Sequence, residues 1–378
     1  MNQFSYDVVI VGAGIVGLAH AWEAAKRGKR VLVCERTAQA QGATVRNFGM
    51  VWPVGQPSGE KFDLAQQSAA CWQELADQNV LQVESCGSIH VAYRPDELAV
   101  LEEYAERFPQ QVSMLTPDQV SERSEIVNPN GLLGGLWSDT EKRVNPRVAA
   151  AKIAAWLQTE KNIEFQFSTW ITSVDDRLLT ASDGRQFRAQ QVLICCGSDI
   201  RNLYPAQAAE LNLRLCKLQM FKCHQPRSVA VGATSAPHIA SGLTLRHYTS
   251  FQLCPSLTAL CDRIESETPE LNRYGIHVMA SHFPNGDVIL GDSHEYDEAI
   301  SPFDNPEIEH LMLRELRKIP SLTNWEVTER WSGVYAKHSS DPIVARQVDT
   351  QVYLITGTGG AGMTLSFGLA NRFWNQNG

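Results

Sequence analysis

Asp7-Val8-Val9-Ile10-Val11-Gly12-Ala13-Gly14-Ile15-Val16-Gly17 decides the fold of this 378-residue chain. Asp7 leads an unbroken apolar run, Val8 to Val11, of the kind that a parallel strand buried on both faces requires. Glycines at GxGxxG spacing follow, then a helical stretch closed by Gly28, then a second strand, Arg30-Val31-Leu32-Val33-Cys34. Together these make a βαβ unit. In such a unit Gly12 permits the tight turn, Gly14 lets backbone approach a pyrophosphate, and Gly17 lets helix pack on strand. The helix N-terminus, with Ile15 and Val16 in its first turn, offers free N–H groups to the anion. Glu35 ends the second strand, 18 residues beyond Gly17 (35 minus 17), where a carboxylate can accept both hydroxyls of an adenosine ribose. The unit reads as a dinucleotide site open to NAD or FAD.

The far end of the chain separates the two. Val352-Tyr353-Leu354-Ile355-Thr356 reads as a strand, and Gly357-Thr358-Gly359-Gly360-Ala361-Gly362-Met363-Thr364 follows it. Met363 to Phe373 then reads as a helix with Leu365, Leu369, Ala370 and Phe373 inside. A glycine loop at a helix start lets backbone donors touch a flat ring, and the positive end of the helix dipole favours the negative charge of a reduced flavin. The rival reading is a glycine-rich turn that only closes the last helix.

Composition narrows the function. A net charge of -9, with 43% hydrophobic and 20% charged residues, offers no basic stripe to offset phosphate repulsion, so nucleic acid is not an expected partner. No apolar run approaches the ~20 residues of a membrane span. The first strand begins almost at the N-terminus, so a cytoplasmic protein without a signal peptide is expected. The nine cysteines form no CxxC pair and read as reduced, mostly buried thiols, and no metal is expected. His338-Ser339-Ser340-Asp341 is not a hydrolase triad, because four neighbours in a turn cannot converge and no GxSxG occurs.

Further pieces belong with the nucleotide unit. Pro146-Arg147 opens a helix, Val148 to Leu157, followed by the strand Ile163 to Phe167. Trp170 to Val174, with its Asp183-Gly184 turn, reads as a hairpin, and Gln191 to Gly197 as a buried strand ending in glycine. Between these pieces, stretches such as Leu243-Thr244-Leu245-Arg246-His247-Tyr248 and Val288-Ile289-Leu290-Gly291 alternate as antiparallel strands do.

The N-terminal fingerprint, Glu35-Arg36, Gly42-Ala43-Thr44-Val45-Arg46-Asn47-Phe48-Gly49, Cys196-Gly197 and Gly359-Gly360-Ala361-Gly362-Met363-Thr364 together resemble the D-amino-acid oxidase superfamily of FAD-dependent amine oxidoreductases, which includes glycine and sarcosine oxidases. The resemblance runs from end to end. It implies an α/β fold: a discontinuous Rossmann-like FAD-binding domain (residues 1–80, 144–214 and 329–378) carrying an inserted antiparallel-sheet substrate-binding domain (81–143 and 215–328). By motif, Gly12, Gly14 and Gly17 would meet the pyrophosphate, and Glu35 the ribose. Arg36, Thr44, Asn47 and Gly49 would meet the flavin side of the cofactor, and Phe48 and Gly197 would also contact it. Gly359, Gly360, Gly362, Met363 and Thr364 would edge the isoalloxazine, and a backbone group near Ile171 the adenine. A narrower likeness, carried by Arg46 to Pro57 and Leu245-Arg246-His247-Tyr248, is to a bacterial subgroup linked to aminoalkylphosphonate breakdown.

Two departures from the family bear on chemistry. Relatives bind a substrate carboxylate with an arginine at the end of Trp-x-Gly-x-Arg, whereas Trp331-Ser332-Gly333-Val334-Tyr335 places tyrosine there. The cysteine of covalent sarcosine oxidases has no counterpart at Ser332 or Gly333, so noncovalent FAD is expected. The resemblance implies hydride transfer from the carbon next to a neutral amine to flavin N5, then hydrolysis of the imine to an aldehyde. The expected substrate is (N-methyl-)2-aminoethylphosphonate or a related aminoalkylphosphonate. A D-amino acid, glycine or sarcosine is the alternative, and a flavin-binding electron-relay subunit is the alternative of another class. The electron acceptor is oxygen or another carrier, since the oxygen-activating lysine of sarcosine oxidases aligns near Ile289. Candidates to grip the substrate are Arg246, His247, Tyr248, Tyr335, Lys337, His338 and Met50. Their rivals are plain: a solvated face or surface ion pair for Arg246 and Lys337, a core aromatic for Tyr248 and Tyr335, and a structural role for His247. Phe48 has packing as its rival, and Arg143 and Arg147 read as structural.

Overall fold

A computed structural model describes residues 5–227, 236–338, 344–356 and 358–378. Gly357 and residues 339–343, with most of the His338–Asp341 turn, lie outside them. Val8 to Val11 are all buried in the strand Tyr6–Val11, at the centre of an eight-stranded sheet. Its parallel neighbours are Val31–Cys34 on one side and Gln186–Ile194 on the other, with registers Val9↔Leu32 and Ile10↔Leu193. Glu164–Gln166 extends the sheet beyond the first and Val352–Thr356 beyond the second. The helix Ile15–Lys26 packs against the C-terminal helix Gly362–Asn377, which also lies on the helix Glu60–Asp77. Trp22 and Trp72 close the layer, each standing edge-on to Phe367 at 5.4 and 5.1 Å between ring centroids.

The expected hairpin is a three-stranded meander. Ile171–Asp175 turns at Asp176-Arg177 into Leu178–Ala181, and the Asp183-Gly184 turn leads into Gln186–Ile194. The last strand runs on into the parallel sheet, so hairpin and buried strand are one element.

A second, nine-stranded sheet gathers the two inserted segments. It is mixed rather than purely antiparallel, because Ser88–Ala92 from the first segment pairs in parallel with His238–Ala240 from the second. Glu329–Lys337, grouped by sequence with the nucleotide unit, instead pairs along its whole length with Arg214–His224 of this sheet. Leu243 to Tyr248 is not a strand: Gly242–Arg246 is a 3-10 turn whose buried Thr244 hydroxyl donates to the Ser241 carbonyl at 2.6 Å. That local bond gives the backbone an alternative to a ladder, which alternation of residue types cannot reveal. Arg143, 1% exposed, ties the insertion together through Glu84 (2.8 Å), the Ala236 carbonyl (2.6 Å) and Ser281 (3.2 Å). The nine cysteines are unpaired. Among the described residues no helix is long and apolar enough to cross a membrane.

Candidate functional site

A cleft of about 1490 Å³, counted out to bulk solvent, opens over the carboxyl ends of the parallel strands, where open α/β sheets receive ligands. One wall is the Gly12–Val16 turn. Gly12 has φ +107°, and a β-carbon there would lie 2.5 Å from the Cys195 carbonyl oxygen, so only glycine makes this turn beside the neighbouring strand. The helix Ile15–Lys26 begins at Gly14 with no side-chain cap and no acidic residue in its first turn. The Ile15 amide donates to Thr44 Oγ1 at 2.9 Å, and the helix dipole favours an anion at this end. Glu35 is clamped beside it, accepting from the Ala13 amide (2.9 Å), the Thr37 amide (3.1 Å) and the Thr37 hydroxyl (2.7 Å). Arg36 pairs with Asp199 at 2.9 Å, both on the cleft wall.

The opposite wall is formed by Gly333 to Ala336 and by Thr358, Gly360, Gly362 and Met363. Helix Gly362–Asn377 also starts without a side-chain cap. Tyr335 presents its hydroxyl to this wall, 3.3 Å from where a β-carbon on Gly360 would stand. Burial raises its phenol well above the ordinary value, so the hydroxyl stays protonated.

Next to Tyr335 lies a set of polar groups the sequence had not assembled. His294 is 6.5 Å from Tyr335 between ring centroids and stacks on His277 at 4.9 Å, while His247 lies 3.9 Å from His277 and 4.5 Å from His294. The buried Asp292 places Oδ1 3.2 Å from His277 Nε2, near enough for an ion pair but off the line of a hydrogen bond. Lys337 donates to the Tyr296 hydroxyl at 2.9 Å, and Arg246 donates to the Ile276 carbonyl at 2.6 Å. Burial holds the imidazoles neutral, lowering His294 to about 3 and His247 and His277 well below the usual histidine value; it also raises the Asp292 carboxyl and lowers Lys337.

A family model described as FAD dependent oxidoreductase, DAO, matches residues 7–373. The chain belongs to this family. Among solved structures this DAO-family chain is similar to glycine oxidase from Bacillus cereus ATCC 14579, with TM-score 0.76 and 16% identity over 98% of this chain and 94% of that one. At that identity the likeness is one of fold. Among curated proteins it is 23% identical over 320 residues to the tRNA 5-methylaminomethyl-2-thiouridine biosynthesis bifunctional protein MnmC of Marinobacter nauticus, covering 80% of this chain. It spans about half (50%) the length of that relative. It is also 20% identical over 353 residues to one component of the opine oxidase of Rhizobium meliloti, covering 89% of this chain and 83% of that one.

FAD is the cofactor of the DAO family, and the cleft suits it on its own chemistry: a helix start with no acidic residue in its first turn for a pyrophosphate, a held carboxylate for a ribose, and a second helix start without a side-chain cap for a ring edge. Of the residues singled out from sequence, Gly12, Gly14, Ile15, Val16, Glu35 and Arg36 line the cleft. So do Thr44, Asn47, Ile171 and Gly197 on the near side, and Tyr335, Gly360, Gly362 and Met363 opposite. Others stand behind the wall. A β-carbon on Gly17 would lie 2.0 Å from the Gly12 carbonyl oxygen, and one on Gly49, at φ +73°, 2.0 Å from that of Val144; both glycines serve close backbone packing. The Thr364 hydroxyl accepts from the Trp52 amide at 2.9 Å. Phe48 and Met50 are buried in the core of the second sheet, and Gly359 is not among the lining residues. Arg246, His247, Tyr248 and Lys337 do not line the cleft; the first two and Lys337 gather at the histidine set, and Tyr248 stands 6.0 Å from His277. His277, His294 and Asp292 went unseen because they sit 30 or more residues beyond His247 (277 minus 247) on other elements, and no spacing rule joins such positions. Arg46 was also missed as a cleft residue, although it lies inside the quoted motif; it donates to the Ser332 carbonyl at 3.2 Å.

Proposed function

We propose that this chain is an FAD-dependent amine oxidoreductase whose substrate is an aminoalkylphosphonate, with (N-methyl-)2-aminoethylphosphonate as the first candidate. One observation carries the substrate assignment: the inner cleft wall presents the neutral hydroxyl of Tyr335, and cationic and imidazole side chains cluster beside it. A planar carboxylate is best held by one bidentate arginine, whereas a phosphonate, with three oxygens and up to two charges, suits several single-point donors.

In this reading the Gly12–Val16 turn would hold the pyrophosphate, Glu35 the ribose, a backbone group at Ile171 the adenine, and Gly360, Gly362 and Met363 the ring edge. Bound FAD supplies the hydride acceptor. The chain's own task is to present the amine neutral, because an ammonium has no lone pair to drive hydride loss from the adjacent carbon. The buried wall around Tyr335 disfavours the charged amine and lowers its pKa. Water hydrolyses the resulting imine, so no protein nucleophile is required. The electron acceptor is dioxygen or another carrier, since Ile289, buried in the strand Asp287–Gly291, brings no cation to activate oxygen.

Anaerobic titration of the yellow protein tests the reading. Aminoalkylphosphonates should bleach the flavin with kcat/KM ten- to a hundredfold above sarcosine, glycine or D-alanine, the effect of one charge-assisted bond of roughly 1.5–3 kcal/mol. Equal efficiency with sarcosine or D-alanine overturns the substrate and leaves a glycine-oxidase-like activity in its place.

A further inference from the structure

We propose that His247, His277 and His294 form the subsite that receives the substrate's doubly charged tetrahedral oxyanion, and that one of these imidazoles takes up a proton from solvent as the anion arrives. The inference rests on the aminoalkylphosphonate reading and goes beyond it by naming the receptor and its proton balance.

Geometry comes first. The three histidines stand on separate elements: the turn after Gly242–Arg246, the loop before Met279–His282, and the segment after Asp287–Gly291. One ring nitrogen from each lies within 4.8 Å of the others. His277 Nδ1 and Arg246 Nε are buried with no hydrogen-bond partner. Buried polar atoms without partners are rare in folded proteins, and two beside one imidazole stack call for a polar occupant.

The surrounding charges decide its sign. Arg246 stands on the first element with His247 and Tyr248; Asp292 and Tyr296 flank His294; Tyr335 and Lys337 come from the strand Glu329–Lys337, and Cys216 from Arg214–His224. The two cations face the Asp292 carboxyl, which burial favours in its neutral form, and Arg246 also faces Cys261 and the Glu315 carboxyl of the helix Pro306–Leu316, which is itself paired with Arg314 and Lys318. A metal cation would meet Arg246 and Lys337 as repulsion, whereas a dianion meets them as partners. Without an anion, burial and those same cations keep the imidazoles neutral. Two negative charges in a low-dielectric site reverse that balance and favour imidazolium. The proton moves from solvent to a ring nitrogen, and no covalent bond changes.

The test is isothermal titration of FAD-loaded enzyme with methylphosphonate, which carries the anion without an oxidisable amine, at pH 8 in two buffers of different ionisation enthalpy. Sulfate, a dianion throughout the range, serves as the non-titrating probe. The expected result is about one proton taken up per anion. For sulfate, which does not titrate here, the bound state then holds more protons than the free one, so its affinity should rise up to tenfold per unit as pH falls from 8 to 7. His277→Gln and His294→Gln should each lose at least tenfold in affinity and most of the uptake, with FAD content unchanged. Equal heats in both buffers with tight methylphosphonate binding would overturn the inference while leaving the substrate reading intact. Failure of methylphosphonate to bind, together with no flavin bleaching by aminoalkylphosphonates, would overturn the substrate reading itself. One Zn2+ bound per chain and lost in His277→Gln would make the cluster a metal site instead and also overturn the inference. The buffer comparison uses the wild-type protein, so it decides even if a variant folds poorly.

Discussion

Gly17→Ala should loosen FAD through packing alone, because Gly17 does not line the cleft. A β-carbon at position 17 would lie 2.0 Å from the Gly12 carbonyl oxygen and 3.3 Å from Ile10 Cγ2, whereas ordinary contact begins near 3.4 Å. The helix Ile15–Lys26 must therefore retreat from the strand Tyr6–Val11 by about 1.4 Å (3.4 minus 2.0). Overpacking of this kind costs about 1–3 kcal/mol of stability. The same movement carries the first-turn amides away from the pyrophosphate. An anion at a helix start is worth up to about 2 kcal/mol, so a loss of about 1–2 kcal/mol weakens the Kd for FAD about 5- to 30-fold. Gly28→Ala is the control. Gly28 has φ +68° with no atom within 4 Å of its β-carbon position, so alanine there costs about 1–2 kcal/mol in backbone strain and leaves the cleft untouched. The assay is titration of apoprotein with FAD by flavin fluorescence, with thermal melts by circular dichroism on the same samples. The reasoning is refuted if Gly17→Ala binds FAD within twofold of wild type, or if Gly28→Ala loosens FAD to the same degree.

Acid precipitation should release all the yellow colour into the supernatant, since Ser332 and Gly333 offer no thiol for a covalent link, and colour kept in the pellet would contradict this. Arg143→Met should destabilise the fold by about 1.5–3 kcal/mol in urea unfolding, because the Ala236 carbonyl loses its charged donor and Glu84 is left with Arg227 alone; a midpoint unchanged from wild type would show the network to be dispensable. His20 and His90, fully buried, are both lowered to about 3 by desolvation, so the folded protein keeps them neutral where the unfolded chain would charge them. Their contribution is whole above pH 6.5 and is lost as pH falls below it, at about 1.4 kcal/mol per pH unit for each histidine. Stability should thus decline from pH 6.5 toward 4; His238, His247, His277 and His294, also lowered by burial, add to the slope in the same window, so His20→Gln/His90→Gln protein should keep a slope shallower than wild type by up to about 2.8 kcal/mol per pH unit, and equal slopes would refute the source.

The parts of this protein legible from residue order are those in which neighbours in sequence are neighbours in space. The strand Tyr6–Val11, its glycine turn, the helix Ile15–Lys26 and the second strand ending at Glu35 form one contiguous unit, and each step has a local cause: apolar runs, a turn only glycine makes, and an uncapped helix start. The C-terminal strand Val352–Thr356 was readable residue for residue for the same reason. Local logic failed where tertiary competition intervened. Thr244 diverted an alternating stretch into a 3-10 turn, and Glu329–Lys337 found its partner in Arg214–His224, more than a hundred residues earlier.

The sequence by itself determined that a dinucleotide cleft exists and which backbone lines its phosphate end, because that geometry is set by φ angles and helix termini within a few residues. Only the tertiary structure decided what stands at the other end. Arg246 with His247, His277, Asp292 with His294, and Lys337 come together from four separate segments, so neither their convergence nor their charge states exist until burial removes water from around them. The electrostatics of a site depend on distances of a few ångströms through a medium of low dielectric, and chain order carries no information about either.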